Sequence, residues 1–367
     1  MSAATQGRLQ WARWAPAVGA LVLVLSWGRH PGSIAAAVIA VFLVGAVLAA
    51  VHHAEVVAHR VGEPFGSLVL AVAVTVIEVA LIVTLMVSGG KDTSTLARDT
   101  VFAALMITIN GIVGLSLLIG ALKHHLAEFN AEGTGSALGT VITLASLTLV
   151  LPTFTTSEAG PEFSASQLAF AAVASAALYA MFVFTQTVRH RDFFLPVDTG
   201  RGPVDADNDG HADPPSAREA WVSLALLSVS LVAVVGLAKV ESPTIEEGVK
   251  AIGFPHAFVG IVIALLVLMP ESIAAARAAA ADNVQVSLNL GYGSAMASIG
   301  LTIPTIAVAS IWLDGPLALG LEPMQIVLLL ISVIVSVLTV VPGRAKPLQG
   351  GVHMVLLAAF VFLTIKP

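Results

Sequence analysis

The chain has 367 residues, 57% of them hydrophobic and 11% charged, with a mean hydropathy of +0.93; soluble domains carry about 25% charged residues, so this surplus of apolar surface calls for lipid and not for a water-soluble core. The net charge of -6 comes without a basic run, which argues against nucleic acid as a partner. With 0 cysteines, a disulfide framework, a thiolate metal site and a thiol nucleophile are all excluded.

A membrane-crossing helix needs about 20 largely apolar residues. In chain order such segments fall near 15–28, 33–51, 66–87, 99–122, 137–155 and 166–188, then near 218–239, 256–277, 285–312, 323–341 and 350–365. Arg8 and Arg13 precede the first segment, but no small-residue cleavage pattern follows it, so it is expected to stay as a span. The expected fold class is an all-α integral membrane protein of about 11 transmembrane helices, surrounded by the lipid bilayer. With the N-terminus in the cytoplasm, 11 of the 17 Lys and Arg residues fall on the cytoplasmic side, as the positive-inside rule requires. The expected location is the bacterial inner membrane.

The long polar stretch at 189–218 divides the spans. Residues 1–30 form an N-terminal segment with the first span, 31–188 a first five-helix repeat, 189–218 an acidic cytoplasmic linker, and 219–367 a second five-helix repeat. The repeat shows in the residues. Gly62-Glu63-Pro64-Phe65-Gly66 opens an apolar helix that reaches Glu78, and the helix after it holds Gly111-Ile112-Val113-Gly114-Leu115. Gly253-Phe254-Pro255-His256 opens another that reaches Pro270-Glu271, followed by Ala297-Ser298-Ile299-Gly300-Leu301. Proline and glutamate stand 14 residues apart in the first copy and 16 in the second. Because five is odd, the two copies must cross the membrane in opposite senses, the inverted-repeat plan of many secondary transporters, whose substrate site lies near the midplane.

Of the 23 acidic residues, this span assignment leaves Glu78 and Glu271 deep inside helices and the others in loops or at span ends. A charged carboxylate at the bilayer centre costs about 2.5–3.5 kcal/mol on insertion scales, so such residues mark ion or proton routes by default. The bland alternative is a protonated glutamate hydrogen-bonded to a neighbouring helix. Two such carboxylates in matching repeat positions suit competition between a cation and protons: either occupant neutralises them, while the empty, doubly charged state is strongly disfavoured. A divalent ion matched against two protons would make the cycle electroneutral.

Calcium takes six to eight oxygens, so two side chains are too few. Pro270 removes an amide donor and would free a backbone carbonyl around Leu266 to Val267. Thr75, Thr108, Asn110, Ser272, Asn289, Ser294 and Ser298 offer further oxygens as ligands or path lining, although each taken alone is equally compatible with helix packing. No cofactor is expected; the partners are the transported cation, Ca2+ or Na+ and K+, and protons.

Other constellations point elsewhere. His52, His53, Glu55 and His59 cluster, as do His124 and His125, which in residue type fits a histidine-box membrane metalloenzyme; the other histidines are scattered, and these read as interfacial polar residues or as pH sensors. Asp205, Asp207, Asp209 and Gly210 reproduce the opening of an EF-hand loop, but its twelfth position is Ser216 where a glutamate is required. That stretch is a flexible acidic linker, with a weak regulatory calcium site as the sharper reading. An intramembrane aspartyl protease also pairs buried carboxylates, yet no aspartate lies mid-span.

The stretches GEPFGSLVLAVAVTVIEV at 62–79 and LMPESIAAARAAAADNVQVSLNLGYGSAMASIGLTIP at 268–304 resemble the calcium/cation antiporter superfamily, and within it the bacterial calcium (sodium, potassium)/proton antiporters. The resemblance implies that Glu78 and Glu271 are the ion-binding, proton-exchanging carboxylates of two alpha-repeats, with Ser294 and its neighbours lining the path. It also implies cation export driven by the proton gradient through alternating access, most simply Ca2+/H+ exchange, with Na+(K+)/H+ exchange as the alternative. The vacuolar branch carries a Gly-Asn pair before each glutamate; here Val76-Ile77 and Met269-Pro270 stand there, which leaves ion selectivity open.

Overall fold

The computed structural model describes residues 3–29, 31–61, 65–88, 94–197, 215–312 and 316–367. All eleven apolar segments are helical. The helices are α1 (Ala3–Ser26), α2 (Ser33–Val61), α3 (Phe65–Ser88), α4 (Leu96–Met106), α5 (Val113–His124), α6 (Ala131–Ala145) and α7 (Ala165–Phe184), then α8 (Ala217–Ala251), α9 (Ala257–Ala280), α10 (Val284–Ala309), α11 (Pro323–Val340) and α12 (Pro347–Ile365). A π-helical turn, Ile107–Ile112, joins α4 to α5 into one continuous span, Leu96–His124.

Among the described residues, eight helices are long and apolar enough to cross a membrane, or nine with the bent α9 counted as one span. The apolar parts of α1 and α3 that can be described, Trp11–Ser26 and Thr75–Thr84, are shorter than a full crossing. The protein is an all-α multi-pass membrane protein. Its lipid-facing character shows on the outside of the helices, where large apolar side chains such as Phe170, Val173, Leu338 and Val355 are exposed, as expected when the surrounding solvent is itself apolar.

The helices gather into two compact units, residues 1–90 with 210–259 and residues 91–209 with 260–367. Each unit takes helices from both sides of the linker, so packing and sequence repeat divide the chain differently.

In the first unit α8 packs against α1, α2 and α3, and α1 also lies on α2. The sequence explains why α8 occupies that place. Ser216 and Glu219 form a reciprocal capping box that starts the helix directly after the linker. From there the buried positions Ser223, Leu227, Ser230, Val234, Leu237 and Glu241 recur at helical spacing. Small residues let the three helices approach: a Cβ on Gly19 of α1 would stand 3.5 Å from the Ala46 Cβ of α2 and 3.4 Å from that of Ala233 of α8.

In the second unit α10 packs against α7, α6 and α5, and α12 packs along α5. The contact between α5 and α12 demands glycine. A Cβ on Gly114 would come within 2.6 Å of the His353 Cβ, and one on Gly350 within 2.8 Å of the Gly114 carbonyl oxygen. Two short strands, β1 (Ala127–Glu128) and β2 (Arg344–Ala345), pair antiparallel and tie the turn after α5 to the turn between α11 and α12.

Candidate functional site

Glu271 belongs to the second unit. The α9 axis turns by 52° between Ala257–Met269 and Glu271–Ala280, at the proline the sequence places there. Pro270 has no amide hydrogen to give the Leu266 carbonyl. Ser272 adds to the bend by donating its hydroxyl to the Leu268 carbonyl at 2.7 Å, a back-bond that loosens the helical ladder. The carboxylate emerging at this break is 3% exposed. Ser294 of α10 donates its hydroxyl to Glu271 Oε2 at 2.8 Å. One turn further, Ser298 is also buried. Ser287, two turns earlier, donates to the Ala275 carbonyl at 2.6 Å, so α10 is fastened to α9 at a second point beside the Glu271 contact. A buried carboxylate, a hydroxyl and a carbonyl released by proline make an oxygen-lined site suited to a small hard cation or a proton.

Glu78 belongs to the first unit, on α3, and is likewise 3% exposed. Thr75, one turn earlier, is 4% exposed, and Ile77, Leu81 and Ile82 beside them are buried. Val76, on the opposite side, is 44% exposed. The helix thus buries its acid and its threonine and exposes the opposite side; within its unit it packs on α2 and α8.

The remaining oxygens named from the sequence divide into two groups. Thr108 and Asn110 lie on the π-helical turn, a distortion that recurs at functional sites. Thr108 occupies the repeat position matching Ser294, as Gly114 matches Gly300, and here it donates to the Ala104 and Leu105 carbonyls at 2.8 and 2.9 Å. Asn110 donates to Ser332 Oγ of α11 at 2.9 Å, and its Oδ1 lies 3.0 Å from His353 Nδ1 of α12. The other nitrogen of His353 is 3.4 Å from Thr339 Oγ1. Asn110 therefore serves a buried interhelical polar cluster. Asn289 donates to the Phe194 carbonyl at 2.6 Å and accepts from Gln285 at 2.8 Å. Gln285 in turn accepts from the Asn130 amide at 2.7 Å, so Asn289 ties α10 to the segment after α7. The linker aspartates Asp205, Asp207 and Asp209 and the Gly62-Glu63-Pro64 helix opening lie outside the described residues.

The histidine cluster does not assemble a metal site: among the described residues no group of three or more His, Asp or Glu side chains is placed to hold an ion. His53 is instead a brace. Its Nε2 lies 2.9 Å from the Ala12 carbonyl and its Nδ1 3.3 Å from Ser223 Oγ, joining α1, α2 and α8. Arg277 is exposed at the end of α9.

Three features escape a reading of the sequence. Glu241, assigned to a span end, is buried within α8 at 3% exposure; the helix runs on past the apolar stretch that suggested a boundary at Lys239. Arg98 and Asp99, assigned to the edge of a loop, are both 4% exposed. They form an ion pair of 2.8 Å, extended by Arg98 to Glu322 at 3.1 Å, at the start of α4. His353 is fully buried. Glu241 alone had a signal, its helical spacing from Leu227, Val234 and Leu237.

Comparison with known proteins agrees with these observations. The family model described as sodium/calcium exchanger protein matches residues 32–188 and 222–366. The Sinorhizobium fredii protein y4hA, described as an ionic transporter, is 44% identical over 329 residues, covering 89% of this chain and 87% of its own. The sodium-potassium/proton antiporter ChaA of Escherichia coli K12 is 33% identical over 346 residues, 93% of either chain. In fold, the chain is similar to the solved structure of YfkE at a TM-score of 0.70 and 16% identity, covering 96% of this chain and 99% of the other.

Proposed function

Since this chain belongs to the sodium/calcium exchanger protein family, whose model matches residues 32–188 and 222–366, we propose that it is a Ca2+/H+ antiporter that exports the cation, driven by an inward proton gradient. It is a cation-exchanging transporter and not an enzyme. The observation that carries the finer reading is Glu271: a carboxylate 3% exposed, at a proline-broken helix, with Ser294 donating to it at 2.8 Å. Glu78, its counterpart in the other repeat, is buried to the same extent.

In this reading the two carboxylates bind either the cation or protons, and the empty, doubly anionic state is too costly in a low-dielectric setting to be crossed. The protein changes access only when filled, which couples the two fluxes. Around Glu271, the hydroxyls of Ser294 and Ser298 and the carbonyl left without a donor by Pro270 would supply oxygens that a dehydrated Ca2+ needs, and beside Glu78 the hydroxyl of Thr75 would do so. The inner bacterial membrane with a cytoplasmic N-terminus is the setting proposed from the distribution of basic residues.

Na+(K+)/H+ exchange is the second reading, favoured by the 33% identity to a protein described as a sodium-potassium/proton antiporter. Everted membrane vesicles energised to an acidic interior and loaded with a pH-reporting dye separate the two. Added Ca2+ is expected to release protons from the vesicles at low concentration; release by Na+ or K+ with no response to Ca2+ would replace the calcium reading with the alkali-cation one.

A further inference from the structure

The helix α8 is 35 residues long, about 52 Å at 1.5 Å per residue, and Glu241 lies in its last third. The carboxyl is 3% exposed. Its Oε1 has no hydrogen-bond partner among the described residues, and none of the ion pairs there includes it. Neighbouring groups are engaged elsewhere. Lys239 places its ammonium 5.3 Å from the centre of the Trp27 ring, and Ser242 donates to Glu246 Oε1 at 3.3 Å. Two positions on, Pro243 lies inside the helix and cannot donate to the Lys239 carbonyl.

Contacts within the first unit fix where Glu241 sits. His53 of α2 meets Ser223 near the start of α8 and the Ala12 carbonyl of α1. A Cβ on Gly236 of α8 would meet Leu23, and Lys239 reaches Trp27. Hence α1 runs alongside α8 in the same direction, α2 runs against it, and Glu241 is at the end that carries the turn between α1 and α2. Near that end, α2 over 33–50 and α3 over 79–88 contribute no titratable side chain. Among the described residues, the other ionisable groups there are Arg29 after α1, Lys239, Glu246, Glu247 and Lys250 on α8 itself, and His256 after it. The helix α3, starting directly after α2 ends, runs with α8. Glu78 is 13 residues into α3 and Glu241 is 24 residues into α8, which sets Glu241 on the order of 15 Å further toward this end.

We propose that Glu241 is a proton-carrying carboxylate of the transport route, a station between the α1–α2 end of this unit and Glu78. The inference rests on the antiport reading above. The donor set decides for a proton over the metal. One open carboxylate oxygen, one serine hydroxyl already donating and one released carbonyl fall far short of the six to eight oxygens of Ca2+, while a proton needs a single oxygen. As an anion inside the membrane the group would be costly. An O–H bond forms on Glu241 with a proton from the solvent at this end; the bond breaks as the proton moves on toward Glu78, and the carboxylate is refilled from the same side.

The test uses the full chain in proteoliposomes, as wild type, Glu241→Gln and Glu241→Asp, with whichever of Ca2+, Na+ or K+ drives proton flux in the wild type. Two rates are compared: cation-driven proton flux, and self-exchange of the radiolabelled cation, which needs no proton. Glu241→Gln is expected to slow proton-coupled flux by about tenfold or more, the low side of what a positioned proton-transfer group contributes. Self-exchange should keep its wild-type rate, and Glu241→Asp should recover part of the coupled flux. Unchanged proton flux in Glu241→Gln overturns the proposal, and an equal loss of both rates overturns it in favour of a structural role. Absence of proton flux with every cation in the wild type would refute the antiport reading itself, whatever Glu241 does.

Discussion

The two units treat matching carboxylates differently. In the unit of residues 91–209 and 260–367, Glu271 leaves a helix that is broken at Pro270 and meets a hydroxyl on α10, and that hydroxyl's helix is pinned back to α9 by Ser287. In the unit of residues 1–90 and 210–259, Glu78 sits within an α-helix beside Thr75, between apolar neighbours, and the helix it packs on carries a further buried acid, Glu241. Repeats of one ancestral segment therefore keep the charge and change its surroundings. In one copy a serine on the next helix donates to the carboxylate beside a bent backbone; in the other the helix packed against it carries a second buried acid. In the proposed reading both carboxylates exchange ions, and what differs is what surrounds each of them.

Removing the shared element should have the largest effect. Glu78→Gln and Glu271→Gln each delete a carboxylate of the exchanging pair, and either is expected to lower cation-driven proton flux by about 100-fold or more, equivalent to about 2.7 kcal/mol; flux near the wild-type level in one of them would mean that its unit does not bind the exchanged ions. The frame of the second unit comes next. Asn110→Ala takes away the partner of His353 Nδ1 and the amide donor to Ser332 Oγ, at a cost of about 1–3 kcal/mol for a buried polar group. A lower thermal midpoint of the detergent-solubilised protein would show it, and an unchanged midpoint would mean the cluster is dispensable.

Ser294→Ala removes the hydroxyl that donates to Glu271. A hydrogen bond to a charged group contributes about 1.5–3 kcal/mol, so the concentration of cation giving half-maximal flux should rise roughly tenfold or more, while Ser294→Thr retains the hydroxyl and most of the affinity. The smallest effect is expected at Ser272. Pro270 alone suffices to break the helix, so Ser272→Ala, which removes the bond to the Leu268 carbonyl, should change flux by less than about twofold, within the range of substitutions away from critical features.

The helical segments and both glutamates were legible because the signals are local: about 20 apolar residues announce a span, and an acid within one is conspicuous. The bend at Pro270 followed from the missing amide. The extent of α8 did not, since Lys239, Glu241 and Pro243 in quick succession read as a span end; the capping box and the helical spacing of its buried face carry it through. The π-helical turn has no sequence signature in Ile107–Ile112, and the partners of Asn110 are 222 and 243 residues away, a distance that no local pattern spans. For the same reason Asn110 and Asn289 read as possible ligands, whereas the structure gives Asn110 partners on α11 and α12 and Asn289 one in the segment after α7.

Competition between protons and the cation for Glu78 and Glu271 is the core of the proposed mechanism. It is tested most directly by proton release on binding, measured with the purified chain in weakly buffered detergent solution. Adding Ca2+ to the wild type should acidify the solution, with Na+ or K+ doing so if the second reading holds, and the Glu78→Gln, Glu271→Gln double variant should release none. Undiminished release from the double variant would contradict the claim and place the exchanging carboxylates elsewhere in the chain.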